Sequence, residues 1–292
     1  MNDAADSLPY EMCEPLADTR PGPRLQRGDG AAEIAFAAQG LSHLYQSTPC
    51  RVLFPMPEPG DLPLAALLTT SGGLTGGDRL RIAVTAGIGA RATVTTAAAE
   101  KIYRSLGPET GIDIKLTVEP GGWLEFLPQE TILFDGARLQ RHCTVELAPG
   151  ANLLAAEMVV FGRTARGERF TRGLLHDARR VRIGGKLVWA DALRLEGDIA
   201  AQLAAPAGFD GASAFATATY AGGAAAEYLP LARELTESSE CRAGATLVNG
   251  ILVARFLNPH AEVVRRSLAR YVTSLRSAIA GFPAAMPKLW QI

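Results

Sequence analysis

From about Ala32 onward the apolar positions of the chain fall at every second residue, the signature of strands with one face turned to a core. Leu80, Ile82 and Val84 alternate in this way, and Ile112, Ile114, Leu116 and Val118 repeat the pattern. Further on, Leu139, Cys143, Val145 and Leu147 share one strand face that Arg141 interrupts, while Gln140, His142, Thr144 and Glu146 share the other. Between these runs the punctuation recurs as Ala86-Gly87-Ile88-Gly89, Glu119-Pro120-Gly121-Gly122, Ala148-Pro149-Gly150-Ala151 and Ile183-Gly184-Gly185, each a turn by composition. A spacing of about 30 residues is longer than the roughly 8 to 12 of a plain sandwich and matches a wound or stacked β array. The predicted fold is therefore mainly β, a solenoid-like array of strands with a few helices.

The last third reads differently. Asn249-Gly250, set between Ala245-Thr246-Leu247-Val248 and Ile251-Leu252-Val253-Ala254, predicts a two-residue hairpin, because both turn residues tolerate positive φ. Asn258 as N-cap and Pro259 at the first helical position then introduce Val264, Leu268, Tyr271, Val272, Leu275 and Ile279 at helical spacing, and Gly281 and Pro283 end them. This amphipathic C-terminal helix is expected to pack on the β body, with a partner protein as the alternative. At the other end, residues 1–30 are acidic and Pro-rich, with few large apolar side chains, and are expected to form a flexible arm ahead of one β-rich domain over residues 31–292.

Composition narrows the function classes. With 292 residues, 48% hydrophobic, 20% charged and a net charge of −1, the chain has no general field for nucleic acid or anionic membrane. No apolar run reaches the roughly 18 to 20 residues of a membrane span. Cys13, Cys50, Cys143 and Cys241 are far apart, with no C-x-x-C pair, and no basic-then-apolar leader is read at Met1, so the expectation is reduced thiols and a cytoplasmic location.

Standard catalytic devices are missing. Ser71-Gly72-Gly73-Leu74-Thr75-Gly76-Gly77-Asp78 lacks the Gly-Lys-Ser/Thr ending of a phosphate-binding loop and reads as strand-turn-strand. There is no G-x-S-x-G, no H-E-x-x-H and no paired Cys/His spacing. His142 and Cys143, as strand neighbours, point to opposite faces, which places Cys143 in the core and His142 on a surface or groove. His43, His176 and His260 have no partner at ligand spacing.

Four polar, glycine-bearing segments stand out within the β body. In the first, residues 70–78, four glycines permit close backbone approach and Asp78 closes the turn. The second sets Lys101, Tyr103 and Arg104 just after a strand. In the third, residues 127–137, Glu130 and Asp135 flank an apolar strand; in the fourth, residues 157–170, Glu157 precedes an apolar run and Arg163, Arg166 and Glu168 crowd the turn after it. Taken singly, each charge reads as a surface residue or a structural ion pair.

In this order, the Gly-Gly-x-x-Gly-Gly-Asp turn, Lys101-Ile102-Tyr103-Arg104-Ser105, Leu127-Pro128-Gln129-Glu130 with Phe134-Asp135-Gly136-Ala137, Phe161-Gly162-Arg163 with Arg166-Gly167-Glu168, and the ending Leu275-Arg276 with Pro287-Lys288-Leu289-Trp290 resemble the UreD (UreH) family of urease accessory proteins. The chain departs from that pattern at Thr70-Ser71, where proline-rich residues are usual, and at Ala97-Ala98-Ala99-Glu100, where a stretch ending in Thr is usual. The resemblance implies a non-enzymatic scaffold that binds apo-urease together with the helical protein UreF and the GTPase UreG and helps deliver nickel, with no tightly bound cofactor and only transient Ni2+. It directs attention to Asp78, Glu130, Asp135 and Glu157 as a weakly binding metal path, since isolated carboxylates exchange borderline metals more readily than His/Cys sites do. Phe161, Arg163 and Arg166, with Phe170 beside them, and Lys101, Tyr103 and Arg104 are the expected partner-binding residues. The competing readings are a β-solenoid carbohydrate-active enzyme using paired carboxylates, Glu130 with Asp135 or Glu157 with Glu168, and a purely structural β protein.

Overall fold

The computed structural model describes residues 26–291. In chain order its elements are β1 (Asp29–Ala37), β2 (Gly40–Ser47), β3 (Cys50–Leu53), β4 (Leu64–Thr69), β5 (Arg79–Ala86), β6 (Arg91–Thr96), β7 (Glu100–Ile102), β8 (Thr110–Val118), β9 (Trp123–Leu127), β10 (Thr131–Leu133), β11 (Arg138–Leu147), β12 (Asn152–Phe161), β13 (Leu174–Ile183), β14 (Lys186–Glu196), α1 (Ile199–Ala204), β15 (Ala214–Ala221), α2 (Leu229–Glu237), β16 (Arg242–Val248), β17 (Ile251–Asn258) and α3 (Ala261–Ala280). Most of the expected arm, residues 1–25, lies outside the described residues, and Asp29 and Gly30 already belong to β1.

Strands alternate between two sheets. β1, β5, β8, β11 and β13 run parallel in the first, edged by antiparallel β2 and β14. β4, β6, β9 and β12 run parallel in the second, flanked by antiparallel β3 on one side and β15, β17 and β16 on the other. Each coil of the solenoid is thus a strand of the first sheet, a tight corner and a strand of the second: β5 to β6, β8 to β9, β11 to β12.

The recurring turns make those corners. Ala90 N donates to Gly87 O at 3.0 Å, Gly122 N to Glu119 O at 2.9 Å and Ala151 N to Ala148 O at 3.1 Å, so all three corners close the same way. Gly89, Gly121 and Gly150 occupy the third position with φ of 63°, 69° and 77°, a conformation costly for any side chain. Ile183-Gly184-Gly185 behaves differently: it is the hairpin between β13 and β14 within one sheet, where the winding stops.

Between the sheets lies one core, to which Leu80, Val84, Leu116, Leu139, Cys143 and Val145 contribute from the first sheet and Val94, Leu124, Phe126, Leu153 and Val159 from the second. A second core fills the outer side of the second sheet, where Leu154, Ala156, Met158, Ala216, Ala218 and Phe256 meet Val264, Leu268, Tyr271, Val272 and Leu275 of α3. The hairpin at Asn249-Gly250 forms as expected, with φ of 48° and 83°. α3 starts two residues later than its Pro259 signal, because Asn258 Oδ1 accepts His260 N at 2.9 Å and holds the entry in a turn; its αL C-cap is Gly281, φ 67°. The described cysteines, Cys50, Cys143 and Cys241, are buried and unpaired. No helix among the described residues is long and apolar enough to cross a membrane.

Candidate functional site

The second set of connections, on the side of the solenoid opposite the tight corners, carries the motif segments. Residues 70–78, 97–109, 128–137 and 162–173 link successive coils and stack in that order through their backbones. Leu74 N donates to Lys101 O at 2.8 Å and Tyr103 N to Leu74 O at 2.7 Å; Phe134 N donates to Ile102 O at 3.0 Å and Gly162 N to Leu133 O at 2.8 Å. β7 and β10 are short ladder segments of this stack, in register with the end of β12.

Side chains continue the stacking. The Tyr103 ring lies over Gly73, where a Cβ would come within 2.6 Å of it, and Tyr103 Oη donates to Gly72 O at 2.8 Å. Phe134 meets Tyr103 edge-on at 4.9 Å between centroids, and the Arg163 guanidinium covers Phe134 at 4.3 Å. One column therefore runs through all four segments, Gly73, Tyr103, Phe134 and Arg163, which is why a glycine, two aromatics and an arginine recur in separate motifs. Along the same face, Glu168 binds both Arg163 and Asp135 N, while Asp135 Oδ1 accepts Thr171 N at 2.8 Å and Thr171 Oγ1 at 2.9 Å. Burial acts to raise the Asp135 pKa, but these donors and Arg172 outweigh it and hold the carboxyl below its ordinary value.

Asp78 is buried with both oxygens on backbone donors, Gly28 N at 2.7 Å and Thr75 N at 2.8 Å. Glu130 pairs with Arg265 of α3, whose guanidinium also covers the Trp290 ring at 4.7 Å and donates to Gln129 Oε1 at 3.1 Å. Gln129 Nε2 in turn donates to Leu289 O at 2.9 Å, and Trp290 Nε1 to Leu127 O at 3.0 Å. The Leu-Pro-Gln-Glu and Pro-Lys-Leu-Trp motifs, remote in sequence, are thus two halves of one joint.

Glu157 lies elsewhere, between the sheets. Arg141, the interruption noted on the β11 face, grips Asp177 with Nε at 3.0 Å and Nη2 at 2.6 Å and reaches Thr131 Oγ1 at 3.0 Å. Arg179 Nε binds Glu157 Oε2 at 2.5 Å, and Glu157 Oε1 is 3.5 Å from Arg141 Nη1 without a hydrogen-bond partner. Two guanidiniums and two carboxylates form a neutral buried quartet. Burial would raise the Asp177 pKa, yet Arg141 and Arg179 hold it well below the usual carboxylate range, and burial pushes the neighbouring Cys143 thiol far above its own.

The four carboxylates of the expected metal path are accordingly not gathered at one point. Among the described residues no three or more His, Cys, Asp or Glu side chains are placed to share a metal ion. Of the expected partner contacts, Lys101, Arg104, Arg163 and Arg166 are exposed and Tyr103 is half-buried, all on the stacked loop face. Phe161 and Phe170 are each 1% exposed and belong to the inter-sheet core, which removes both from any partner-facing surface; Phe161 follows the inward period of β12, and Phe170, on the loop after it, folds back to donate its N–H to Phe161 O at 3.4 Å. The acid pair Glu157 and Glu168 lines two different cavities and so shares no cleft. The sequence reading missed the Asp177 and Arg179 half of the quartet, and also Arg276 of α3, which binds Glu125 and Asp61 beneath the helix. The available signal was position: Glu125 stands inside an apolar strand, and Arg276 falls four residues after Val272 on the apolar face.

The sequence model of the family described as "UreD urease accessory protein" matches residues 28–291. The urease accessory protein UreD of Magnetococcus marinus (strain ATCC BAA-1437 / JCM 17883 / MC-1) is 42% identical over 298 residues, covering 99% of each chain. That of Rhodopseudomonas palustris (strain HaA2) is 48% identical over 85% of this chain and 86% of its own, and that of Methylobacterium sp. (strain 4-46) 43% identical over 92% and 96%.

Proposed function

Because the chain belongs to the UreD family of urease accessory proteins, we propose that it is a non-enzymatic scaffold of urease maturation that docks apo-urease, UreF and UreG and assists nickel delivery in the cytoplasm. The observation that carries this reading is the stacked loop face. The family's motif residues, scattered over the chain, are there used to build one continuous rigid surface, with Lys101, Arg104, Arg163 and Arg166 projecting from it. Arg is enriched at protein interfaces, and a column of backbone-paired loops presents it at little conformational cost.

Nickel is cargo in this scheme. Asp78 would have to give up two backbone donors, and Glu157 stands beside two guanidiniums, so neither is free to meet a cation without rearrangement. Glu130 and Asp135, with side-chain exposures of 19% and 26%, are better placed as transient contacts, and a carboxylate already shared with protein donors passes a metal on instead of keeping it.

The test is co-expression of apo-urease and its accessory set with this chain or with the double variant Lys101→Glu/Arg166→Glu. Both side chains are exposed, so the fold is expected to be kept. Loss of co-purifying partners, together with matching falls in urease activity and bound nickel, is the expected result. Full capture and activation by the folded variant would remove the loop face as the docking surface.

A further inference from the structure

Among the described residues no helix lies over the central strands of the first sheet's outer face, and on it two imidazoles from neighbouring strands converge. In the parallel register of β11 and β13, Gln140 is opposite His176 and His142 opposite Ala178, which makes His142 and His176 diagonal neighbours on the same face. Their ring centroids are 5.5 Å apart with the planes at 88°. Two imidazoles that share one tetrahedral ion at a metal–nitrogen distance of about 2.0–2.1 Å have centroids roughly 5 Å apart, so the pair already stands near ligand spacing.

Two further features point to a ligand. His142 Nδ1 is 3.3 Å from Asp113 Oδ1 on β8, directly opposite in register. A carboxylate that accepts a hydrogen bond from Nδ1–H leaves the Nε2 lone pair free and holds the ring, the arrangement found behind metal-binding histidines. Beside both rings an open cavity of about 250 Å³ is floored by Ala178, Ala190 and Ala192, so water or a third ligand has room to complete a coordination sphere. Among the described residues, His43 and His260 each pair with an exposed glutamate, at 3.6 Å and 4.0 Å, and neither packs against a second imidazole.

We propose that His142 and His176 form a two-imidazole surface site for a borderline divalent transition metal ion, Ni2+, Cu2+ or Zn2+, with Asp113 as the positioning residue. Imidazole suits these ions and excludes Mg2+ and Ca2+, which take oxygen ligands. With two protein ligands and Arg180 also on the cavity wall, the site is one of fast exchange and modest affinity. The proposal does not rest on the chain's role in urease maturation, because the metal alone probes it.

The chain has four histidines, so each imidazole signal can be assigned by single substitution in the untagged full-length protein. Titration with Ni2+ is expected to broaden His142 and His176 together at the lowest metal concentrations, ahead of His43 and His260. His142→Ala/His176→Ala should bind one ion fewer by calorimetry, and Asp113→Asn should keep the stoichiometry while weakening that ion about tenfold. Uniform broadening of all four imidazoles in the unaltered protein, or unchanged stoichiometry in the double variant, would overturn the site. Unaltered broadening by Ni2+ in the presence of a large excess of Mg2+ is expected, whereas competition by Mg2+ would mean that carboxylates and not imidazoles hold the ion.

Discussion

The two sheets share a coil geometry and differ on their outer faces. Strands of the first sheet alternate, with Leu139, Arg141, Cys143, Val145 and Leu147 inward and Gln140, His142, Thr144 and Glu146 toward water. The strand that follows in the second sheet, Asn-Leu-Leu-Ala-Ala-Glu-Met-Val-Val-Phe, is apolar on both sides because α3 covers what would be its solvent face. Each sheet also carries an outer-face ion pair between arginine and glutamate, Arg182 with Glu146 on the open side and Arg276 with Glu125 on the covered side. The chemistry is the same and the surroundings are not, so the comparison shows how far burial alone changes what an ion pair does.

The covered pair should be the one the fold cannot lose. Arg276 is 2% exposed and holds Glu125 through Nε at 2.9 Å and Nη2 at 3.0 Å, Asp61 at 2.5 Å and the carbonyl of Pro283 at 2.7 Å. Arg276→Met leaves Glu125 buried without its cation and is expected to lower stability by about 3–5 kcal/mol in urea unfolding, while adding Glu125→Leu should restore part of that loss. A cost below about 1 kcal/mol would mean that the helix cover does not desolvate the pair.

An intermediate case sits at the edge between the two environments. Glu100 lines a cavity of about 130 Å³ with Cys50 and accepts a hydrogen bond from Thr69. Burial raises its pKa from an ordinary 4.5 to about 7. A carboxyl raised in this way favours the fold while protonated: its contribution is complete below about 4.5 and is lost as the pH rises through about 7. Glu100→Gln should therefore flatten the fall in stability across that window, gaining about 1–2 kcal/mol above it. An unchanged pH profile would place the carboxylate in effective contact with water.

The open pair should matter least. Arg182 and Glu146 are about a third exposed at 3.4 Å, and a double-mutant cycle with alanine at both is expected to return a coupling of at most about 1 kcal/mol. A coupling above about 2 kcal/mol would show that the bare sheet face shields charge as well as the covered one.

The same contrast governs what the sequence disclosed. β5, β8 and β11 were readable by their period of two because one side of each faces water, and the corners were readable because a positive φ in the third position demands glycine. β9 and β12 carry no such period, since both faces are buried, and α2 has too short a pattern to stand out. At the candidate site the motif order was legible and its meaning was not. Nothing in the chain says that Gly73, Tyr103, Phe134 and Arg163 form a single column until the coils are stacked, or that Phe161 turns inward. The buried quartet was half visible as Arg141 breaking an apolar face, but its partners lie one coil further along the sheet and on the opposite sheet.

The joint between the chain's end and its early coils has a consequence for synthesis. Arg276 reaches Asp61 across 215 positions, and Trp290 reaches Thr95 across 195. The coils can wind as they emerge, because each needs only its neighbours, but the second sheet keeps an apolar outer face until α3 and the residues that follow it have been made and have docked. A nascent chain that has not yet reached α3 is thus a wound solenoid with an uncovered greasy side, the species on which aggregation and chaperone capture would act.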